Sequence, residues 1–231
     1  MMEYAVKYVK GAGAASVWGA GAASEWGAGA ASVWDSVPEA RIENFPWETT
    51  DSGHLPAASA NGYLPAASAR MFYTDDCFVI RFVASEGHIR AVNTGRNGPV
   101  CQDSCVEFFV NPCPEKSDKY VNFEINPIGA LHVGFGEGRH NRELIGGAAY
   151  ESVVITPYID SPEWRITCAV PFSFFDGLYG KTGYVSGHAM RANFYKCGDL
   201  TRRPHWACWN PVGAPSPDFH LPEFFGALVL E

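Results

Sequence analysis

The sequence predicts an all-β fold, an antiparallel β-sandwich of jelly-roll type. Three observations carry this. Apolar and polar residues alternate in many short runs, about ten in all, and turn-forming residues separate the runs. Almost no stretch shows helical periodicity. Hydrophobic residues make up 47% and charged residues 18%, so a single large core is within reach and global disorder is not expected. We therefore expect one domain, 1–231, with repeat-containing insertions at 11–34 and 55–69.

The elements follow in chain order. Glu3–Val9 alternates and reads as a first strand. A period-eight tandem repeat follows: GAGAASVW, GAGAASEW and GAGAASVW at 11–34, ending in Trp18, Trp26 and Trp34. LPAASA then occurs at 55–60 and again at 64–69. Such short periods do not build solenoids, and lengthening a surface loop costs little. Deleting residues 11–26 is therefore expected to leave the fold intact. Pro38–Asp51 reads as a linker-like run draped over the sheet. MFY and CFVIRFVA, separated by Asp75 and Asp76, read as two strands, and His88–Asn93 as another.

The segment 101–135 contains three strand-like runs: Cys105–Asn111, Tyr120–Ile125 and Leu131–Phe135. Asn111-Pro112 with the EKSDK run, and Asn126-Pro127-Ile128-Gly129, separate them. The runs predict a meander whose register can be argued, because a one-residue slip would turn the apolar set to solvent. Pairing Phe108 with Phe123, Val110 with Val121 and Val106 with Ile125 puts the apolar partners on one face. The next pair follows as Ile125 with Leu131, Phe123 with Val133 and Val121 with Phe135. The other face then carries Glu107 opposite Glu124, with His132 beside Glu124. Two carboxylates directly across a strand pair repel, so this face is either a solvated surface or a working one.

Gly136–Gly147, GEGRHNRELIGG, reads as a loop. Ser152–Thr156, Trp164–Val170 and Ala189–Tyr195 read as strands, PFSFFDGL as a short helix or turn, and Ala227–Leu230 as the closing strand.

The net charge is −8 and no basic stripe runs along any element, which argues against a nucleic-acid partner. No segment reaches the roughly 18–20 apolar residues needed to span a bilayer. The first residues lack the apolar core of an export signal, and the seven cysteines contain no CxxC. We expect free thiols and a cytoplasmic protein. Cys101, Cys105 and Cys113, and Cys197, His205 and Cys208, are cysteine groupings whose spacing matches no zinc pattern. Asp75, Asp76 and Asp103 are carboxylates that calcium would take as hard oxygen ligands.

Five stretches together resemble the family 9 carbohydrate-binding modules: DSCVEFFVNP, YVNFEINPIGALHVGFGEGR, WRITCAVPFSFF, RANFYKCGD and HWACWNP with PDFHLPEFFGALVLE. The resemblance covers about residues 70–231 well and 1–50 weakly, and it is strongest to stand-alone members. It implies a jelly-roll sandwich, non-catalytic binding of glucan- or xylan-type oligosaccharides or their ends, a role in carbohydrate catabolism, and structurally bound calcium. The family holds a sugar ring between two tryptophans and fixes its hydroxyls with a glutamate. That glutamate falls on Glu107. The later tryptophan falls on Trp209, with Trp206 the alternative. The earlier one falls near Cys101, which is not aromatic. Arg139, Glu124 and Asn193, the last expected to face away from the core with Arg191 and Tyr195, complete the candidate binding residues. Two rival readings stand beside this one. One is a glycoside hydrolase using Glu107 and Glu124. The other is a structural sandwich whose sugar site has decayed.

Overall fold

The computed structural model describes residues 1–10, 33–47 and 64–231. The strands are β1 (Glu3–Tyr8), β2 (Ala40–Arg41), β3 (Ala66–Tyr73), β4 (Cys77–Ser85), β5 (Cys105–Asn111), β6 (Tyr120–Ile125) and β7 (Leu131–Glu137). They continue with β8 (Asn141–Leu144), β9 (Val154–Asp160), β10 (Glu163–Pro171), β11 (Ala189–Cys197), β12 (Trp206–Cys208) and β13 (Gly226–Leu230). Short helices are α1 (Val33–Ser36), α2 (Gly147–Glu151) and α3 (Phe172–Tyr179).

The strands form one curled sheet in the order β8-β7-β6-β5-β11-β13-β1-β3-β4-β10-β9, with β12 beside β11 and β2 beside β3. Its two halves pack face to face. Phe194 of β11 stacks on Phe108 of β5 at 5.2 Å and meets Phe82 of β4 edge-on at 6.0 Å. β1 joins the halves, pairing through Glu3–Val6 with β13 and through Lys7–Tyr8 with β3. Both pairings are parallel, so the sheet is mixed rather than purely antiparallel as expected. β1 is separated from β3 and β13 by long stretches of chain, and such stretches permit the crossover that parallel pairing needs.

The meander has the expected register. Val106 pairs with Ile125, Phe108 with Phe123, Val110 with Val121, Phe123 with Val133 and Glu124 with His132. Phe108, Val110, Val121, Phe123, Ile125 and Val133 are all buried in the core. Their alternation dictates this, because each apolar residue removed from water contributes about 1.5–3 kcal/mol.

Four local expectations change. Gly136–Gly147 is not a loop: β7 runs to Glu137, and Asn141–Leu144 returns as β8 against it. His88–Asn93 forms no strand. Its backbone amides are instead taken by side chains: Ser104 Oγ accepts from Arg90 N, and Asp103 Oδ2 from Val92 and Asn93 N. The second LPAASA copy is not a loop insertion, since its last four residues open β3. Pro38–Asp51 does more than drape: within its described part, β2 pairs with β3, and Ile42 and Phe45 are buried.

Trp34, the end of the third repeat, is also buried. It packs on Phe72 at 5.0 Å, with the Arg81 guanidinium 4.3 Å over its ring. Apart from Val33 and Trp34, the period-eight repeats and the first LPAASA copy lie outside the described residues, as does the deletion expectation for 11–26. Among the described residues no helix is long and apolar enough to cross a membrane.

Candidate functional site

The face of β5, β6, β7 and β11 turned away from the sandwich core is where the chemistry collects. Alternation puts Glu107 and Phe109 of β5 on it, with Tyr120, Asn122 and Glu124 of β6 and Asn193, Tyr195 and Cys197 of β11. The chain covers part of this face itself. Phe219 stacks on Tyr195 at 4.0 Å, His220 lies 4.9 Å from Phe109, and Phe225 meets Tyr120 at 5.2 Å.

The outward side chains of β11 hold this cover down. Arg191 donates to the carbonyl of Phe225 at 2.5 and 3.2 Å. Tyr195 Oη donates to the carbonyl of Phe219 at 3.2 Å. Asn193 bonds both the amide and the carbonyl of Asn210. Asn193 therefore faces away from the core as expected, but it is fully buried and committed to the covering segment, not to a ligand.

Beyond the cover lie Glu107 and Glu124, directly paired and both buried, at 3% and 8% exposure. Glu107 Oε1 accepts the Cys197 thiol at 2.9 Å. Glu124 Oε1 accepts Asn122 Nδ2 at 2.9 Å. Burial, and then the Glu124 carboxylate, hold the Glu107 carboxyl well above the usual range, and burial raises Glu124 also. The loosely solvated sheet face is therefore not what forms. Two desolvated acids sit side by side, and each gives up its proton less readily than a free carboxyl.

The cation that braces this pair is Arg142, which the sequence reading passed over. It extends from β8 across β7, with Nε and Nη2 on Asn122 Oδ1 at 3.1 and 2.5 Å. Its remaining donors bond the carbonyls of Tyr120, Gly134, Gly136 and Gly138, and its guanidinium stacks 4.1 Å over Tyr120. Gly134 makes this crossing possible: a Cβ there would sit 2.7 Å from Asn122 Oδ1. Gly134→Ala is accordingly expected to cost about 1–3 kcal/mol through overpacking, read as a lower unfolding midpoint in urea. It should also weaken any ligand that Glu124 holds.

Arg139, the arginine the sequence singled out, is exposed and bonds Asp218 at 2.8 Å, pinning the cover from its outer edge. Trp206 and Trp209 separate by parity. Trp206 pairs with Cys197 on the Glu107 face and is half-buried, its Nε1 donating to Asp199 at 2.8 Å. Trp209, three residues on, points into the core at 2% exposure, edge-on to Tyr4 and against Phe194. The tryptophan available to a ligand is thus Trp206, and the preference for Trp209 is corrected by its burial.

The three aspartates do not fit calcium. Asp103 is buried among donors: the amides of Val92 and Asn93, Asn126 Nδ2 at 2.9 Å and Arg90 at 3.3 Å. Asp75 accepts the Tyr8 hydroxyl at 2.6 Å, and Asp76 the Thr74 hydroxyl at 3.0 Å, in the β3–β4 turn. Asp103 Oδ1 is buried without a hydrogen bond, with only the Arg90 contact, but the three carboxylates stand in separate turns and do not come together as the oxygen cage that calcium takes. All seven cysteines are free, as expected.

Comparison with known proteins completes the site. The family model described as carbohydrate-binding family 9 matches residues 40–230. A candidate carbohydrate-binding protein of Bacteroides uniformis is similar over 99% of both chains, at 29% identity and a TM-score of 0.79. A family 9 carbohydrate-binding module of Caldicellulosiruptor kristjanssonii in complex with glucose shares the fold at a TM-score of 0.63 and 11% identity, over 100% of this chain and 96% of that one. The same organism's module in complex with cellotriose gives 0.62 and 11%, over 100% and 94%. No curated protein matches the chain.

Proposed function

The chain belongs to carbohydrate-binding family 9, and on that premise we propose that it binds the end of a glucan- or xylan-type oligosaccharide without cleaving it. The binding place is the uncovered part of the Glu107 face. The observation that carries this reading is the buried Glu107–Glu124 pair braced through Asn122 by Arg142. A sugar hydroxyl is both donor and acceptor. A carboxylate beside a carboxylic acid offers one acceptor and one donor at adjacent positions. The half-buried Trp206 ring supplies an apolar surface for the C–H face of a pyranose. Glucose and cellotriose in the two Caldicellulosiruptor complexes support this substrate class.

Calorimetric titration with cello- and xylo-oligosaccharides tests it. We expect saturable heats in the millimolar range or below, set by one ring in place of two. No heat with any of these sugars would sink the reading. Release of reducing sugar, lost in Glu107→Gln, would move the pair to the hydrolase reading, which the adjacent carboxyls favour on spacing.

The pair also sets a pH dependence. Both carboxyls titrate higher in the folded chain than in the unfolded one, so the folded chain holds extra protons and loses stability as pH rises through that window. His205 and His220 act oppositely. Burial lowers both to about 3, so their contribution is lost as pH falls below the ordinary histidine value. Above about pH 7 both histidines are neutral folded or unfolded, and the slope that remains comes from the carboxyls together with the buried thiols, which burial also holds above their ordinary value. As pH rises above the ordinary carboxylate range, the melting temperature of the wild type should therefore fall more steeply than that of Glu107→Gln, in which the thiol slope is kept and the Glu107 part is removed. Parallel slopes would remove the pair as its source.

A further inference from the structure

We propose that Cys105, Cys197 and Glu107, with Cys101 at the fourth position, form a site for a thiophilic divalent cation of the zinc type. The fold builds it from two strands far apart in the chain, β5 and β11. Cys105 and Cys197 are direct partners on β5 and β11, and Glu107 is two residues along β5 on the same face. Their ligating atoms lie within 4.8 Å of one another, with Cys197 Sγ already 2.9 Å from Glu107 Oε1. Zinc–thiolate bonds of about 2.3 Å in a tetrahedral site put two sulfurs about 3.8 Å apart. Neither cysteine grouping visible in the sequence forms as such; one cysteine from each meets here.

Two further observations support the site. Cys101 lies at its mouth on the Val100–Gln102 turn: it is half-buried, and its carbonyl is 3.7 Å from Cys197 Sγ. It gives a cation both an entry and a last ligand. The second is charge. Glu107 faces Glu124 inside the protein, and among the described residues no cation bonds Glu107 itself: Arg142 braces the pair only through Asn122. Arg139 bonds Asp218. Lys196 points to the opposite face, where it meets Glu86 at 3.3 Å and His205 at 2.8 Å. A divalent ion bonded to Glu107 stabilises that carboxylate directly, while the thiolates formed on binding balance the ion's own charge. Binding displaces the thiol protons of Cys101, Cys105 and Cys197 to solvent, and the thiolates are soft ligands that select zinc or cobalt over calcium.

The test uses the reduced full-length chain, stripped with chelator, loaded with zinc or cobalt chloride and desalted. We expect close to one zinc per chain by elemental mass spectrometry, and thiolate-to-cobalt charge-transfer absorption with cobalt. Cys105→Ser/Cys197→Ser should lose both, Cys101→Ser should bind at least about tenfold more weakly, and Cys113→Ser should bind as the wild type. A wild type that takes up no metal, or a cobalt complex without the charge-transfer band, overturns the proposal. Full retention by the double variant does so too. If that variant fails to fold, the wild-type cobalt spectrum and the Cys101→Ser affinity decide. None of these readouts involves a sugar, so the saccharide reading stands or falls separately.

Discussion

Trp209→Ala should lower stability by about 3–5 kcal/mol, the range for truncating a large buried aromatic side chain. For a domain of this size that is a fall of roughly 6–20 °C in melting temperature. The ring is held on several sides. Tyr4 meets it edge-on at 6.3 Å and Phe194 lies at 5.6 Å. At Gly226 a Cβ would come within 2.5 Å of the ring. These contacts belong to β1, β11 and β13, the strands that join the two halves of the sheet. A cavity there cannot collapse without shifting that junction. Trp206→Ala should cost much less, because that ring is already partly in solvent, yet it should weaken saccharide binding. Thermal melts of the two variants beside sugar titrations check the assignment. A stable Trp209→Ala that loses binding would reverse it.

The contrast between these two tryptophans shows where the sequence speaks and where it stops. Alternation fixes which residues share a face, so the meander register and the placement of Glu107, Glu124 and His132 follow from Cys105–Phe135 without a structure. The same rule applied to HWACWNP separates Trp206 from Trp209 by parity. What it lacks is the anchor that says which parity faces the core. That anchor is the pairing of β12 with β11, a contact between distant residues that no local pattern carries.

Arg142 was hidden for a related reason. Asn141–Leu144 is an edge strand with little apolar content, so GEGRHNREL reads as a loop. The legible clue was Gly134 and Gly136 inside a strand, since glycine there marks a close approach by something else. His88–Asn93 misled in the opposite direction. Its apolar residues suggested a ladder, but Asp103 and Ser104 supply the acceptors a neighbouring strand would have given. The parallel pairings of β1 lay beyond local reading altogether, because its partners are in β3 and at the far end of the chain.

Glu124→Ala should abolish measurable saccharide binding while changing the stability of the fold little. The two effects separate because the carboxylate serves the ligand more than the fold. In the free protein Glu124 faces Glu107 across the strand pair, both are buried, and each makes it harder to ionise the other. Removing it relieves that repulsion but takes away the acceptor of the buried Asn122 Nδ2, while Asn122 Oδ1 stays held by Arg142, so the two effects on stability oppose each other. On the proposed reading, the same carboxylate would accept hydroxyl hydrogen bonds from a bound sugar. Hydrogen bonds to a charged group contribute about 1.5–3 kcal/mol, or roughly 10- to 150-fold in Kd. Starting from weak binding on a single ring, that loss takes the interaction out of calorimetric range. Arg142→Lys should lose affinity by the opposite route. One ammonium cannot supply the forked donors that hold Asn122 and four carbonyls, so stability and binding fall together. Urea midpoints and oligosaccharide titrations on both variants decide it. A Glu124→Ala chain that is destabilised and still binds sugar would show that the pair is structural and that the ligand sits elsewhere.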